Sequence, residues 1–284
     1  MAEAVPPQYH RNIIIVGSLA VAYHFFHEGR EVRTKDIDCL LSPYEDAAKS
    51  GVAMAEEMLD SGWRHRTEDG FGQPQPTPEP KETLSAVRLY PPHTNDWFAE
   101  FLAVPASESE SGRRWMDIKL NSGYFGLPSF EFLSLAAYCP LQSEFGIQYA
   151  RPELMALANL LSHPSIAPYT MSATYAGRRI KRSNKDLGRV ISLARLSGDE
   201  SVEKWVSMWI MSLQDRFPNR WSDLAASAGD GFRQLLSSEE DFEEAHHTCV
   251  FGLLSSERPT IGQLKATSLR VVQDAINPLE SLAT

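Results

Sequence analysis

The chain has few cysteines and no long hydrophobic run. Its 284 residues include only Cys39, Cys139 and Cys249, an odd number of cysteines at wide spacing. That spacing forms neither a disulfide framework nor a zinc motif, and it suits a reducing compartment, so we expect a cytoplasmic protein. No run of about 18 apolar residues occurs, and we therefore expect no membrane span. The polar stretch 1–11 predicts no signal peptide.

Positive charge is also scarce. Lysine and arginine number 27 against 37 aspartates and glutamates, which gives a formal charge of −10. This balance argues against a generally basic nucleic-acid-binding surface, but it leaves room for a local basic groove. The sequence contains no phosphate-loop motif, no serine-hydrolase elbow and no zincin motif, so those three enzyme classes have no sequence basis.

The most informative region begins with four β-branched residues, Ile13–Val16, followed directly by Gly17 and Ser18. The apolar run predicts a buried strand, and the residues after it have helical spacing. Backbone N–H groups at a glycine turn and at the start of a helix bind phosphate well. Gly17 and Ser18 are therefore candidate phosphate-binding residues.

Two aspartates, Asp36 and Asp38, lie two positions apart in the next apolar run. Side chains alternate between the faces of a strand, so both carboxylates are predicted on one face, while Ile37 and Cys39 enter the core. Two carboxylates this close favour a cation between them, and oxygen ligands favour Mg²⁺. We predict that Asp36 and Asp38 hold Mg²⁺. The alternative is a surface turn with two solvated acids.

A third acid has two candidates. Glu100 is the one charged residue in the apolar stretch 97–104, where a buried charge needs compensation and a metal ion would supply it. Asp117 lies near Arg114 and Lys119 along the chain, and these cations can pair with it. We favour Glu100 as the third metal ligand. An edge position facing solvent is the alternative for Glu100.

A basic run covers residues 178–189. Lys181 and Lys185 in this run are candidates to neutralise a triphosphate, and the whole run is a candidate contact for an RNA backbone. The alternative is a solvated basic segment at the start of a helix.

The hydrophobic pattern predicts an α+β protein with two domains. Residues 1–145 are expected to form an α/β domain with a mixed sheet, and residues 146–284 an all-helical domain, because strand signals fade after Phe130. Strands are predicted near 13–16, 37–41, 63–66, 84–90, 97–104 and 115–120. Helices are predicted near 17–28, 45–59, 152–161, 187–196, 205–213, 221–236, 241–254 and 261–276.

Residues 12–42 resemble the start of the nucleotidyltransferase fold, and within it the AbiEii-type toxin branch. The resemblance is carried by Gly17-Ser18, Tyr23-His24, Gly29-Arg30, Arg33-Thr34 and Asp36-x-Asp38. The basic run also resembles a Lys-Asp-x-x-Asp segment of that branch, with Arg189 where the second acid is expected. The resemblance is fainter to about residue 195 and does not extend beyond it.

The resemblance implies a nucleotidyltransferase-like sheet and a Mg²⁺-dependent enzyme that moves a nucleoside monophosphate from a nucleoside triphosphate, ATP included, to an acceptor hydroxyl. Asp36, Asp38 and Glu100 would be catalytic and would hold the metal. A toxin–antitoxin role with tRNA or protein as acceptor is the implied context, and a small-molecule, antibiotic-type acceptor is a second option. A catalytically silent module that binds nucleotide or protein is the alternative from a different class.

Overall fold

The computed structural model describes residues 2–26, 34–67, 72–108, 113–165 and 169–283. The chain divides into two units. The first contains residues 1–20 and 32–151, and the second contains residues 21–31 and 152–284. The first unit ends at residue 151, six residues after the domain boundary predicted at residue 145.

Strands belong to the first unit. They are β1 Ile13–Val16, β2 Asp36–Leu41, β3 Arg64–His65, β4 Arg88–Tyr90, β5 Phe98–Ala103, β6 Arg113–Leu120, β7 Gly123–Phe130, β8 Leu141–Gln142 and β9 Gln148–Tyr149. Within the described ranges, seven of them form one mixed sheet in the order β3-β4-β5-β2-β1-β9-β8, and β6 and β7 form a separate hairpin.

The register of the central strands positions the candidate site. β2 runs parallel to β5 and antiparallel to β1. Asp38 lies opposite Glu100 on one side and Val16 on the other, and Asp36 lies opposite Phe98. Paired residues on neighbouring strands point to the same face of a sheet, so these side chains share one face.

The opposite face of the sheet forms the core of the first unit. Ile37, Cys39 and Leu41 of β2 are buried there, as the alternation of the sequence predicted. Helix α2, Tyr44–Asp60, packs against β2, β5 and β6. Gly51 allows this approach, since a Cβ at that position would lie 2.9 Å from the Leu41 side chain. The unit also contains helix α3, Leu133–Ala136, and short 3₁₀ helices at Ala2–Ala4, Pro7–Asn12 and Lys81–Thr83.

Helix α1, Gly17–Phe25, follows β1 directly and runs from the first unit into the residues of the second. The remaining helices of the second unit are α4 Pro152–Ser165, α5 Arg182–Ser197, α6 Asp199–Val202, α7 Trp205–Arg216, α8 Trp221–Ala226, α9 Asp230–Ser237, α10 Glu239–Phe251, α11 Ile261–Val271 and α12 Asn277–Ala283. A π-helical turn, Val272–Ile276, joins the last two. None of the described helices is both long and apolar enough to span a membrane.

The core of the second unit is aromatic. Trp209, Phe217, Phe232 and Phe242 are almost fully buried. The Trp209 indole N–H donates to the Glu153 carbonyl at 2.7 Å, so this large side chain has its polar atom satisfied. The α+β class and the helical C-terminal region are thus confirmed.

Three details of the predicted elements were wrong. The eight-residue strand β7 was not predicted, because its two glycines and its proline disfavour a strand interior. The strands β8 and β9 occur after Phe130, where the sequence predicted none, because two-residue strands are too short to show alternation. The helix predicted over 221–236 is two helices, α8 and α9. Gly229 lies at their junction, where a Cβ would be 2.4 Å from the Ile276 side chain.

Candidate functional site

Gly17 at the end of β1 leaves the space that the Asp38 carboxylate occupies beside it. Gly17 has a φ of +73°, which favours glycine, and begins α1. A Cβ at this position would lie 2.7 Å from Oδ2 of Asp38. A side chain at residue 17 would therefore displace the carboxylate. The glycine turn that was predicted to bind phosphate therefore lies beside Asp38 of the aspartate pair.

Asp36 and Asp38 share one face of β2, as their spacing predicted. Asp36 is exposed, and the Thr34 hydroxyl donates to its carbonyl oxygen at 2.7 Å and to Oδ1 at 3.3 Å. Asp38 is half-buried. Burial, together with the negative charge of Asp38, raises the pKa of the Cys39 thiol above its usual range. Of the residues that carry the family resemblance, Gly29, Arg30 and Arg33 lie outside the described residues.

Glu100 lies beside Asp38, but its carboxylate is bound by Arg88. Arg88 Nε donates to Oε2 at 3.0 Å, and Nη2 donates to Oε1 at 3.2 Å. The side chains are 12% exposed for Glu100 and 27% for Arg88. The sequence pattern predicted neither a role for Arg88 nor this pair. The sequence feature that could have indicated this pair is the arginine in the alternating stretch 84–90. Arg88 compensates the buried charge of Glu100, for which a metal ion was expected.

Asp117 lies on the hairpin and not in the seven-stranded sheet. It pairs with Lys81 at 2.7 Å, and not with the basic residues near it in sequence. This hydrogen bond lowers the pKa of the Asp117 carboxyl from its ordinary value. Of the two candidates for a third acid, Glu100 is therefore the one whose strand adjoins β2.

The two candidate lysines belong to the second unit. Lys181 precedes α5; its Nζ donates to Asp241 at 2.6 Å, and its backbone N–H donates to Glu244 at 2.7 Å. Burial acts to raise the pKa of Asp241, but the hydrogen bonds from Lys181 and Asn184 outweigh it and leave that pKa below its ordinary value. Lys185, in the first turn of α5, has its Nζ 5.6 Å from the centre of the Tyr175 ring.

Asp36 and Asp38 match the oxygen preference of Mg²⁺, since both carboxylates project from one face of β2. Each oxygen of Glu100 accepts one hydrogen bond from Arg88, so Glu100 as a third ligand would have to bind the metal while it stays in this ion pair. Across the parts of the chain that the structure describes, no group of three His, Cys, Asp or Glu side chains is placed to hold a metal ion. The residues fit a two-carboxylate metal site, and Glu100 belongs to an ion pair.

Comparison of the chain with protein-family profiles, with curated proteins and with solved structures found no match.

Proposed function

We propose that this protein is a Mg²⁺-dependent nucleotidyltransferase whose nucleotide site lies in the first unit, on a nucleotidyltransferase-like mixed sheet. The observation that carries the proposal is the close approach of Gly17 to Asp38, where any Cβ on residue 17 would meet the carboxylate. It joins a glycine turn at the start of a helix, which suits phosphate, to an aspartate pair on one strand face, which suits a divalent cation.

Each group in the proposed site has a physical role. The backbone N–H groups of Gly17 and Ser18 would bind the β- and γ-phosphates at the start of α1, where the helix dipole favours negative charge. Asp36 and Asp38 would hold Mg²⁺. When bound, the ion neutralises phosphate charge and orients the triphosphate for attack by an acceptor hydroxyl. Asp38, half-buried against Gly17, would fix the distance between phosphates and metal.

The second candidate is a nucleotide-binding module without catalysis, or a protein-interaction module. The observation that favours it is the two-hydrogen-bond pair between Arg88 and Glu100, which engages the carboxylate expected as a third metal ligand. Such a module would bind a nucleoside triphosphate but would release no pyrophosphate.

Pyrophosphate release distinguishes the two candidates. The protein is incubated with each nucleoside triphosphate, with and without Mg²⁺, and pyrophosphate is measured. For the enzyme we expect Asp36→Asn and Asp38→Asn each to reduce release by at least about 100-fold, as when a metal-held transition state loses its support. Asp60→Asn, at the exposed end of α2, is the matched control and should release pyrophosphate normally. Full turnover in both site variants would refute the assignment.

The acceptor is proposed by resemblance alone, since a fold does not specify a substrate. The AbiEii-type resemblance favours tRNA or protein in a toxin–antitoxin context. Incubation with α-labelled nucleoside triphosphates, Mg²⁺ and cell extract, followed by separation of RNA, protein and small molecules, identifies which fraction carries the label. Label in the small-molecule fraction alone would favour the antibiotic-type alternative.

A further inference from the structure

Arg66 and Arg88 are neighbours on the face of the sheet that carries Asp36 and Asp38. The backbone N–H of Arg66 donates to the Arg88 carbonyl at 2.8 Å, which continues the register between β3 and β4 by one residue. Arg88 lies opposite Glu100, and Glu100 lies opposite Asp38. The four side chains therefore form a row across adjacent strands, with two cations at one end and two acids at the other.

Both guanidinium groups converge on one aromatic ring. The Cζ of Arg66 lies 4.4 Å from the centre of the Phe98 ring, and the Cζ of Arg88 lies 5.7 Å from it. Phe98 is buried and lies opposite Asp36. A buried ring fixes the plane and the position of a guanidinium above it, because stacking and cation–π attraction both favour the face of the ring.

Each guanidinium is also oriented by a hydrogen-bond acceptor. Arg66 Nε donates to the hydroxyl oxygen of Tyr90, a buried residue, at 3.1 Å. Arg88 uses Nε and Nη2 for Glu100. Among the residues that the structure describes, no acceptor is found for the terminal amino groups of Arg66 or for Nη1 of Arg88. These forked donors are held in place and are available to a ligand.

The charge balance indicates an anionic ligand. Glu100 neutralises one of the two guanidinium charges, and Arg66 has no carboxylate partner within the described part of the chain. A partly buried cation with unused donors is stabilised by an anion that accepts charge-assisted hydrogen bonds. Glu100 fills one fork of Arg88, and the donors that remain are Nη1 of Arg88 and the terminal amino groups of Arg66. Donors from two cations beside a single ring match a group with several anionic oxygens.

We propose that Arg66 and Arg88 form a polyphosphate-binding site, in which Glu100 and Tyr90 are positioning residues that orient the two guanidinium groups. The site adjoins the aspartate pair on the side away from β1, so its natural ligand is the part of the nucleotide's triphosphate that Gly17 and Ser18 do not bind. Only this last identification rests on the proposed function. In this site Glu100 acts through Arg88.

Calorimetric titration with inorganic tripolyphosphate, without metal, tests the site. We expect Arg66→Gln and Arg88→Gln each to weaken binding by about 10-fold, since each removes a charge-assisted fork. Arg66→Lys and Arg88→Lys keep the charge but lose the fork, and should weaken binding several-fold. Arg64→Gln is the matched control: Arg64 is exposed on β3 and donates to Asn95, so its variant should bind within about twofold of the wild type.

Wild-type protein that does not bind tripolyphosphate would overturn the site, and so would an Arg64→Gln effect as large as the other two. The same experiments distinguish failure of this binding site from failure of the proposed nucleotidyltransferase activity. Asp36→Asn with Asp38→Asn should keep or strengthen metal-free binding, because two repelling charges are removed. Tripolyphosphate binding that depends on both arginines, without pyrophosphate release, would leave the site standing and refute the enzyme.

The positioning role of Glu100 has its own readout. Glu100→Gln removes the same repelling charge whether Arg88 is present or replaced by Gln, so that effect cancels between the two backgrounds. Its effect on tripolyphosphate binding should still be at least threefold less favourable where Arg88 is retained, because Glu100 orients that guanidinium. The same factor in both backgrounds would mean that Glu100 supports the fold alone and would overturn its assigned role.

Discussion

The pair formed by Arg88 and Glu100 gives the most demanding test of the structure. Arg88→Met removes the guanidinium but keeps an unbranched side chain of similar length. It leaves a carboxylate that is 12% exposed without the two hydrogen bonds that it accepts now. Removing one partner of a fully buried pair costs about 3–5 kcal/mol, and an unsatisfied buried polar group costs about 1–3 kcal/mol. With Arg88 27% exposed, we expect a loss of about 2 kcal/mol.

The double variant is the matched control. Glu100→Gln in the Arg88→Met background removes the unpaired charge, so it should recover about half of the lost stability or more. If the cost came instead from the arginine stem and its contact with Phe98, the second substitution would recover nothing.

Because the chain has two units, a single unfolding curve would mix their transitions. Hydrogen exchange followed by mass spectrometry, on peptides that cover β4 and β5, measures the first unit directly. Exchange in these peptides should accelerate about 30-fold in Arg88→Met, which corresponds to about 2 kcal/mol. Unchanged protection in Arg88→Met would refute the ion pair and would return Glu100 to the list of candidate metal ligands.

Three further predictions concern separate residues. Gly17→Ala should cost at least about 1–2 kcal/mol in urea unfolding followed by β1 exchange, because its φ is +73° and its Cβ would meet Asp38. The control Gly262→Ala lies in α11 with nothing within 4 Å of its Cβ, and it should not lower stability, since alanine favours a helix over glycine. Asp241 has a folded pKa below its unfolded value, so its ionised form adds stability above about pH 4, and that stability is lost as pH falls through the folded pKa. Asp241→Asn should therefore lower the free energy of unfolding at pH 7 and reduce its dependence on pH in the acid range. Asp117→Asn is the control: Asp117 pairs with Lys81 in a more exposed ion pair, so its loss should cost under about 1 kcal/mol. Native alkylation with iodoacetamide should label Cys139, which is exposed, and spare the two buried cysteines; rapid labelling of all three would contradict the buried cores.

Burial is the main cause of the low reactivity that we expect of the Cys39 and Cys249 thiols. Burial raises the pKa of Cys249 to about 12, and burial with the nearby Asp38 charge raises that of Cys39 further. The thiolate is the reactive form, so neither residue reacts at neutral pH while its unit is folded.

Local pattern was sufficient for much of the first unit. The β-branched run before Gly17 predicted β1, and the spacing of Asp36 and Asp38 predicted a shared strand face. Both signals depend on chain neighbours only, because strand alternation and β propensity act over a few residues. The same holds for the helices around Trp205 and Ile261, whose apolar spacing repeats over several turns.

Partners distant in sequence could not be predicted in this way. Asp117 was expected to pair with cations near it in the chain, and it binds Lys81 instead. Lys181 was expected to be available to phosphate, and its Nζ binds Asp241. In both cases the partner is selected by which strands and helices lie side by side, and that arrangement is not contained in a short window of sequence.

The sequence by itself thus determined the α+β class, the helical C-terminal region and the position of the glycine turn before the aspartate pair. It did so because periodicity and conformational preference are local properties of the chain. Only the tertiary structure decided that Gly17 lies beside the Asp38 carboxylate, that Glu100 is held by Arg88, and that Arg66 and Arg88 share the Phe98 ring. Those contacts depend on the order and register of β3, β4, β5, β2 and β1, which long-range hydrogen bonding between strands sets and no local pattern records.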